Sequence, residues 1–164
     1  MGLYFDELIR SMEYLSKDSR TIFLGQAVGY PGTAVYRTLE KVPMEKRIEM
    51  PVMEETQLGS CIGLAIEGFI PISIYPRFNF LLLAINQLVN HLDQIQKISE
   101  GKLNPKVIIR TVIGSTHPLD PGWQHKGDFT EGIRSMIQNI NVVRLDEPEQ
   151  IFPAYKKALE KEGP

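Results

Sequence analysis

The run RIEMPVMEETQLGSCIGLAIEGFIP, from Arg47 to Pro71, constrains the fold more than any other part of the chain. A short extended stretch, Arg47 to Met50, is stopped by Pro51, which has no N–H to give to a ladder. Leu58, Cys61, Ile62, Ala65 and Phe69 then recur at offsets that place them on one side of a helix. Gly68 closes that helix and Pro71 opens PISIY, a second strand. Gly59 and Gly63, four apart, leave a smooth stripe where another backbone can come close. Strand, helix and strand in immediate succession form the unit from which parallel sheets are built.

The rest of the chain repeats the alternation. Phe5, Leu8, Ile9, Met12 and Leu15 give helical spacing over Tyr4 to Leu15, and Thr21 to Leu24 is a short β-branched strand. After the loop GQAVGYPG, a short helix is expected over Ala34 to Leu39. Downstream, the spacing of Leu82, Ile85, Leu88, Val89, Leu92 and Ile95 predicts one long helix from Asn79 to Ile98. Lys106 to Arg110 reads as a buried strand. A long loop, Thr111 to Lys126, holds Gly, Pro, His and the only Trp. Asp128 to Gln138 is expected as a helix, Asn141 to Arg144 as a strand, and Glu147 to Lys161 as a final helix kinked or delayed by Pro153. The expected architecture is α/β, three layers, with a mainly parallel sheet and helices on both faces. Such sheets bind ligands at the carboxyl ends of their strands, and Glu54, Phe78, Phe80 and His125 each follow one.

With 164 residues, 43% of them hydrophobic, the chain suits one domain with a sizeable core. Lys and Arg total 18 against 20 acidic residues, so no basic excess points to nucleic acid. No apolar stretch is long enough to span a bilayer, and no secretory signal is seen. Cys61 is the only cysteine and reads as a buried thiol. These features place the expected protein in the cytoplasm.

Taken residue by residue, the candidates keep two readings. Glu54 at a helix start is either a capping acid or a dry carboxylate aimed into a cleft, where it suits proton exchange with a heterocyclic nitrogen; Glu55 competes for both roles. Phe78 and Phe80 fit core packing, and His125 fits a surface loop. His91 sits on the polar side of its helix, and His117 precedes a proline in a turn. The glycine loop lacks the Lys-Ser/Thr ending of a phosphate-binding loop.

The ordered set Pro51, Glu54, Gly59, Gly63, Gly68 and Pro71, followed by RFNFLLLAINQLVN, Arg110 and WQHKGDF, resembles the pyrimidine-binding domain of thiamine-diphosphate enzymes. It is most similar to the β subunit of the first component of 2-oxo-acid dehydrogenases, within the transketolase group. The resemblance covers nearly the whole chain. It implies that Glu54 bonds the cofactor's pyrimidine ring and activates it, with Phe80 packing on that ring and Phe78 beside it as core or rim. His125 handles the substrate carboxylate or acyl group. The cofactor is then thiamine diphosphate, and the substrate a 2-oxo acid or a ketose.

The Gly-Asp-Gly and Asn-Asn diphosphate signature of the class is absent from the sequence. An α-like partner chain is therefore expected to supply the diphosphate site and its Mg²⁺, with no metal held here, and a heterotetramer is the implied assembly. The family's C-terminal domain is not found before Pro164, so one pyrimidine-binding domain over residues 1–164 is expected, either as a stand-alone small subunit or as a truncated chain. Gln26 and Ser73 stand where acids are common, and Pro76 where a larger side chain is. The alternatives are a non-catalytic assembly or regulatory subunit and a transketolase-type two-carbon transfer subunit.

Overall fold

The computed structural model describes residues 2–117 and 119–163. Pro118, the proline after His117, lies outside the described residues. Four strands, β1 (Thr21–Gly25), β2 (Arg47–Glu49), β3 (Ile70–Tyr75) and β4 (Ile108–Thr111), form one sheet in the order β2-β1-β3-β4, every pairing parallel. All six residues of β3 are buried, as a central strand covered on both faces requires.

Side chains alternate along the strands and feed two cores. Phe23, Ile70, Ile72 and Ile74 point to one face. There they pack with Met12 and Leu15 of α1 (Leu3–Ser16), Val35 of α2 (Ala34–Thr38), and Ile151 and Tyr155 of α7 (Pro148–Glu160). Leu24 and Tyr75 point to the other face and meet Leu58, Cys61, Ile62 and Ala65 of α3 (Glu54–Ile66), with Ile133 of α6 (Thr130–Met136). The result is the three-layer arrangement of an α/β fold. Phe69 departs from expectation: it lies beyond the end of α3 and is exposed.

The expected long helix over 79–98 is broken. It runs as α4 (Phe78–Leu81), a 3₁₀ turn (Leu82–Ala84), a π-helical stretch (Gln87–Leu92) and α5 (Ile95–Ile98). No proline or glycine marks the breaks. The wide turn, in which the Asp93 N–H donates to the Leu88 carbonyl at 3.0 Å, brings the Asp93 side chain inward. Leu81, Ala84, Leu88 and Leu92 are buried, whereas Leu82 faces out.

Asp93 also explains two other departures. Its Oδ1 accepts main-chain N–H bonds from Gln138, Asn139 and Ile140 at 3.1, 2.8 and 3.1 Å. Those amides are turned away from the helix, so α6 stops at Met136 rather than Gln138. Residues 141–144 then form no strand. The carbonyl of Val142 is taken by Arg134, and Arg144 bonds Asp128 and Asp146. α7 begins on time at Pro148, fixed by a Glu147–Gln150 capping box, and continues unbroken through Pro153.

Candidate functional site

Because every strand pairs in parallel, the carboxyl ends of all four strands lie on one edge of the sheet. Glu54 follows β2 there. It opens α3, and only 4% of it is exposed. Glu55 points the other way and accepts from Asn86 and Gln87 at 3.0 and 3.5 Å, which ties α3 to the broken helix. Of the two adjacent acids, Glu54 is the dry one.

The Glu54 carboxylate is held from outside the sheet. Gln26 Nε2 donates to Glu54 Oε1 at 3.1 Å, and no bond to Oε2 is found among the described residues. The Tyr75 hydroxyl donates to the Glu54 carbonyl at 3.3 Å, and burial pushes that hydroxyl's pKa up, so it stays protonated. One turn along α3, the fully buried Gln57 donates to Ser73 Oγ at 3.0 Å and to the Ile74 carbonyl at 3.1 Å, while its own Oε1 has no partner among the described residues. Cys61 lies in the same core. Burial pushes its thiol up to about 11, against a weaker opposing hydrogen bond with Ser73, so it is an inert core thiol.

The loop before Glu54 is built around a second acid. Glu49, the last residue of β2, accepts main-chain N–H bonds from Ala27, Val28 and Gly29 at 2.7, 2.9 and 2.6 Å. Successive amides turned to one anion form a nest, and Ala27 takes the left-handed φ of 61° that such a turn uses. The amides of Ala27, Val28 and Gly29 are therefore already occupied by the chain's own carboxylate and are not free to cradle a phosphate.

Phe80 and His125 meet on the same edge. Their rings pack edge to face with centroids 5.5 Å apart. The loop that carries His125 is pinned at two points. Gly114 runs so close to the His125 carbonyl that a Cβ would fall 2.1 Å from its oxygen, and the Gly127 N–H donates to Asn79 Oδ1 at 3.2 Å. Among the described residues, His125 Nδ1 is buried without a partner, as is Thr111 Oγ1 at the end of β4. Phe78 is placed differently: it is buried and packs edge to face on Phe129 at 5.5 Å, within the core. His91 and His117 are exposed.

Large apolar side chains precede these groups in the chain. Val52 and Met53, just before Glu54, and Leu119 and Trp123, just before His125, are all exposed, Trp123 to 91%. Cavities of about 340 Å³ at Gln138–Asn141 with Lys157 and Lys161, and about 220 Å³ between α3 and the broken helix, do not touch Glu54. Among the described residues no cluster of three or more His, Cys, Asp or Glu side chains stands ready for a metal ion, and no helix is long and apolar enough to cross a membrane.

The chain matches the family described as "Transketolase, pyrimidine binding domain" over residues 9–164. It belongs to that family. Among curated relatives it is similar to the "Pyruvate dehydrogenase E1 component subunit beta" of Cyanidium caldarium, 30% identical over 132 residues, covering 78% of this chain and 38% of that protein. The same-named protein of Gracilaria tenuistipitata var. liui is 29% identical over 166 residues, 99% of this chain and 50% of its own length. The "Pyruvate dehydrogenase E1 component subunit beta-3, chloroplastic" of Arabidopsis thaliana is 27% identical over 166 residues, 99% of this chain and 40% of its own length. The chain thus spans half or less of the length of these relatives.

Sequence reasoning brought out Glu54, Phe80 and His125 but missed Gln26 as a direct partner of Glu54, the Glu49 nest and Gln57. Gln57 carried a usable signal: three residues beyond Glu54, it shares the inward side of α3 with Leu58 and Cys61. The Glu49 contact depends on β2 lying beside β1, which no local pattern specifies.

Proposed function

We propose that this chain is the pyrimidine-binding, β-like part of a heteromeric thiamine-diphosphate enzyme that acts on a 2-oxo acid. The observation that carries this reading is the dry carboxylate of Glu54, one oxygen held by Gln26 and the other without a partner among the described residues. It lies on the edge that also holds the orphaned His125 Nδ1 against Phe80.

These residues fit the aminopyrimidine half of the cofactor and not its diphosphate half. An acceptor without a partner, an aromatic ring and an orphaned ring nitrogen suit a planar heterocycle. The diphosphate and its Mg²⁺ need oxygen ligands or free amides, and here the loop amides are taken by Glu49. An α-like partner chain would supply that half, and the exposed apolar side chains of Val52, Met53, Leu119 and Trp123 are surface that such a chain can cover. A heterotetramer is the assembly this predicts, in the cytoplasm, with residues 1–164 acting as one domain.

When bound, the cofactor supplies a nucleophilic carbon for attack on the substrate carbonyl. Glu54 Oε2 would hold a proton at the pyrimidine nitrogen. Water exclusion strengthens that contact, since a hydrogen bond in a dry site is not diluted by solvent. Phe80 would pack against the ring, with Phe78 fixing the start of α4 from the core. His125 would offer Nδ1 to the substrate carboxylate or the acyl oxygen.

The test is turnover of a 2-oxo acid by the chain combined with its diphosphate-binding partner, thiamine diphosphate and Mg²⁺. Glu54→Gln should lower kcat by about 10²- to 10⁴-fold, the usual scale for a proton-transfer group. Unchanged turnover would refute the reading. It would favour a non-catalytic assembly role instead, which the cover of Gln26 over Glu54 and the placement of both cavities away from Glu54 support. Transfer of a two-carbon ketose unit in place of 2-oxo-acid decarboxylation would mark the transketolase-type alternative.

A further inference from the structure

We infer that the cavity of about 340 Å³ between residues 138–141 and the end of α7 is an anion site that takes a phosphate group, free or as the monoester of a small molecule. The cavity does not touch Glu54, and the inference is independent of the proposed function. Its volume lies at the lower end of the range for small-molecule sites. Lys157 and Lys161, four apart and so on one side of α7, line it together with Gln138 and Asn141. All four residues are exposed, so a dissolved ion can reach them. No acid lines the cavity among the described residues.

Neither lysine is engaged elsewhere. Lys156 pairs with Glu160 at 3.8 Å, whereas Lys157 and Lys161 have no carboxylate partner among the described residues. Cations at a helix end often serve its last carbonyls. Here the Leu159 carbonyl accepts from the Lys106 ammonium, and the Lys157 carbonyl accepts from the Lys161 main-chain N–H at 2.9 Å. Neither the Lys157 nor the Lys161 ammonium bonds a carbonyl among the described residues, and the side-chain amides of Gln138 and Asn141 have no partner there either. The wall opposite α7 is fixed by Asp93, 1% exposed, which accepts the main-chain N–H groups of Gln138, Asn139 and Ile140 and the side-chain amides of Gln94 and Asn139. That one acid behind the wall is surrounded by its own donors, which leaves the two ammonium groups as the unbalanced charge of the cavity. Two cations and two amide donors match a dianion with several acceptor oxygens.

The test is an NMR titration of the full chain at pH 8 and a constant ionic strength of about 0.15 M, which screens charges more than about 8 Å apart. Inorganic phosphate in one series and glycerol 3-phosphate in another are the probes. The side-chain amide resonances of Gln138 and Asn141 should move along a saturable curve with a Kd of about 1–10 mM. Saturation by the ester shows that the phosphate of a small molecule fits, and saturation by inorganic phosphate alone identifies the free ion. Lys157→Gln and Lys161→Gln should each weaken binding about two- to five-fold, the scale of one exposed charge pair, and together about ten-fold. Lys156→Gln removes the same charge from the neighbouring position and should leave Kd within about 1.5-fold. Shifts that stay linear to about 40 mM of both probes would overturn the inference, as would equal Kd values in the wild type and the double variant. A Lys156→Gln effect as large as that of Lys157→Gln would also overturn it, since general surface charge would then account for the binding.

Discussion

Replacing Glu49 by Gln tests whether a half-buried anion, rather than the glycines, shapes the loop that carries Gln26. In the wild type, three main-chain N–H groups converge on two carboxylate oxygens at 2.6–2.9 Å. In Glu49→Gln the introduced side-chain amide keeps one acceptor and turns an NH₂ toward the same donors. At least one bond is lost, and a donor is set against a donor. A hydrogen bond to a charged acceptor contributes about 1.5–3 kcal/mol, and half-burial trims that, so a net loss of about 1–3 kcal/mol follows. With a urea m-value of about 2 kcal/mol/M, the midpoint should fall by about 0.5–1.5 M. Equilibrium unfolding in urea, followed by circular dichroism, reads this directly. The Gln26 side-chain amide resonances should shift in the same variant, because the loop that aims it has lost its anchor. A midpoint within about 0.3 M of wild type, with the Gln26 amide unmoved, would refute the idea that Glu49 organises the loop.

Three further predictions concern other acids and the thiol. Asp93→Ala should destabilise the chain by about 3–5 kcal/mol in urea unfolding, because it strands the main-chain N–H groups of residues 138–140; hydrogen exchange at those amides should rise before that of β3. Cys61, its thiol pushed up to about 11 by burial, should resist thiol reagents at pH 8 until the chain unfolds. Because its folded pKa lies above the unfolded one, the stability it contributes is complete below about pH 8.5 and is lost as the pH climbs toward 11, a loss that Cys61→Ala should lessen. Asp18, held down to about 2 chiefly by its side-chain hydrogen bond from Arg20, contributes stability above its unfolded pKa that disappears as the pH falls to 2. Asp18→Asn should flatten that acid limb by less than about 1 kcal/mol, since the pair is solvent-exposed.

The fold was legible wherever a short local pattern sufficed. Pro51, the apolar side of α3, Gly68 and Pro71 mark one strand–helix–strand unit without reference to anything distant, and the observed bounds of β2, α3 and β3 follow them closely. Legibility ended where a long-range polar contact decided the local structure. Asp93 redirects the amides of 138–140, and this shortens α6 and leaves 141–144 outside the sheet. Nothing near Asn141 announces it. The breaks in 79–98 are of the same kind, since residues of good helical spacing give way to a wide turn that seats Asp93. At the site, Glu54 and His125 were singled out by their register in the family the sequence resembles; Glu54 opens the helix after β2, whereas His125 lies in the long loop after β4 and carried no local signal of its own. Gln26 looked like an ordinary loop residue, and only the neighbouring positions of β1 and α3 make it a partner of Glu54.

The most direct test of the central claim is a calorimetric titration of thiamine diphosphate with Mg²⁺ into this chain, into its diphosphate-binding partner, and into their mixture, with Glu54 intact or replaced by Ala. The expected result is saturable binding that is tight only in the mixture and at least about ten-fold weaker with Glu54→Ala, one hydrogen bond to a charged group being lost. Equal dissociation constants for the two mixtures would show that Glu54 does not reach the cofactor.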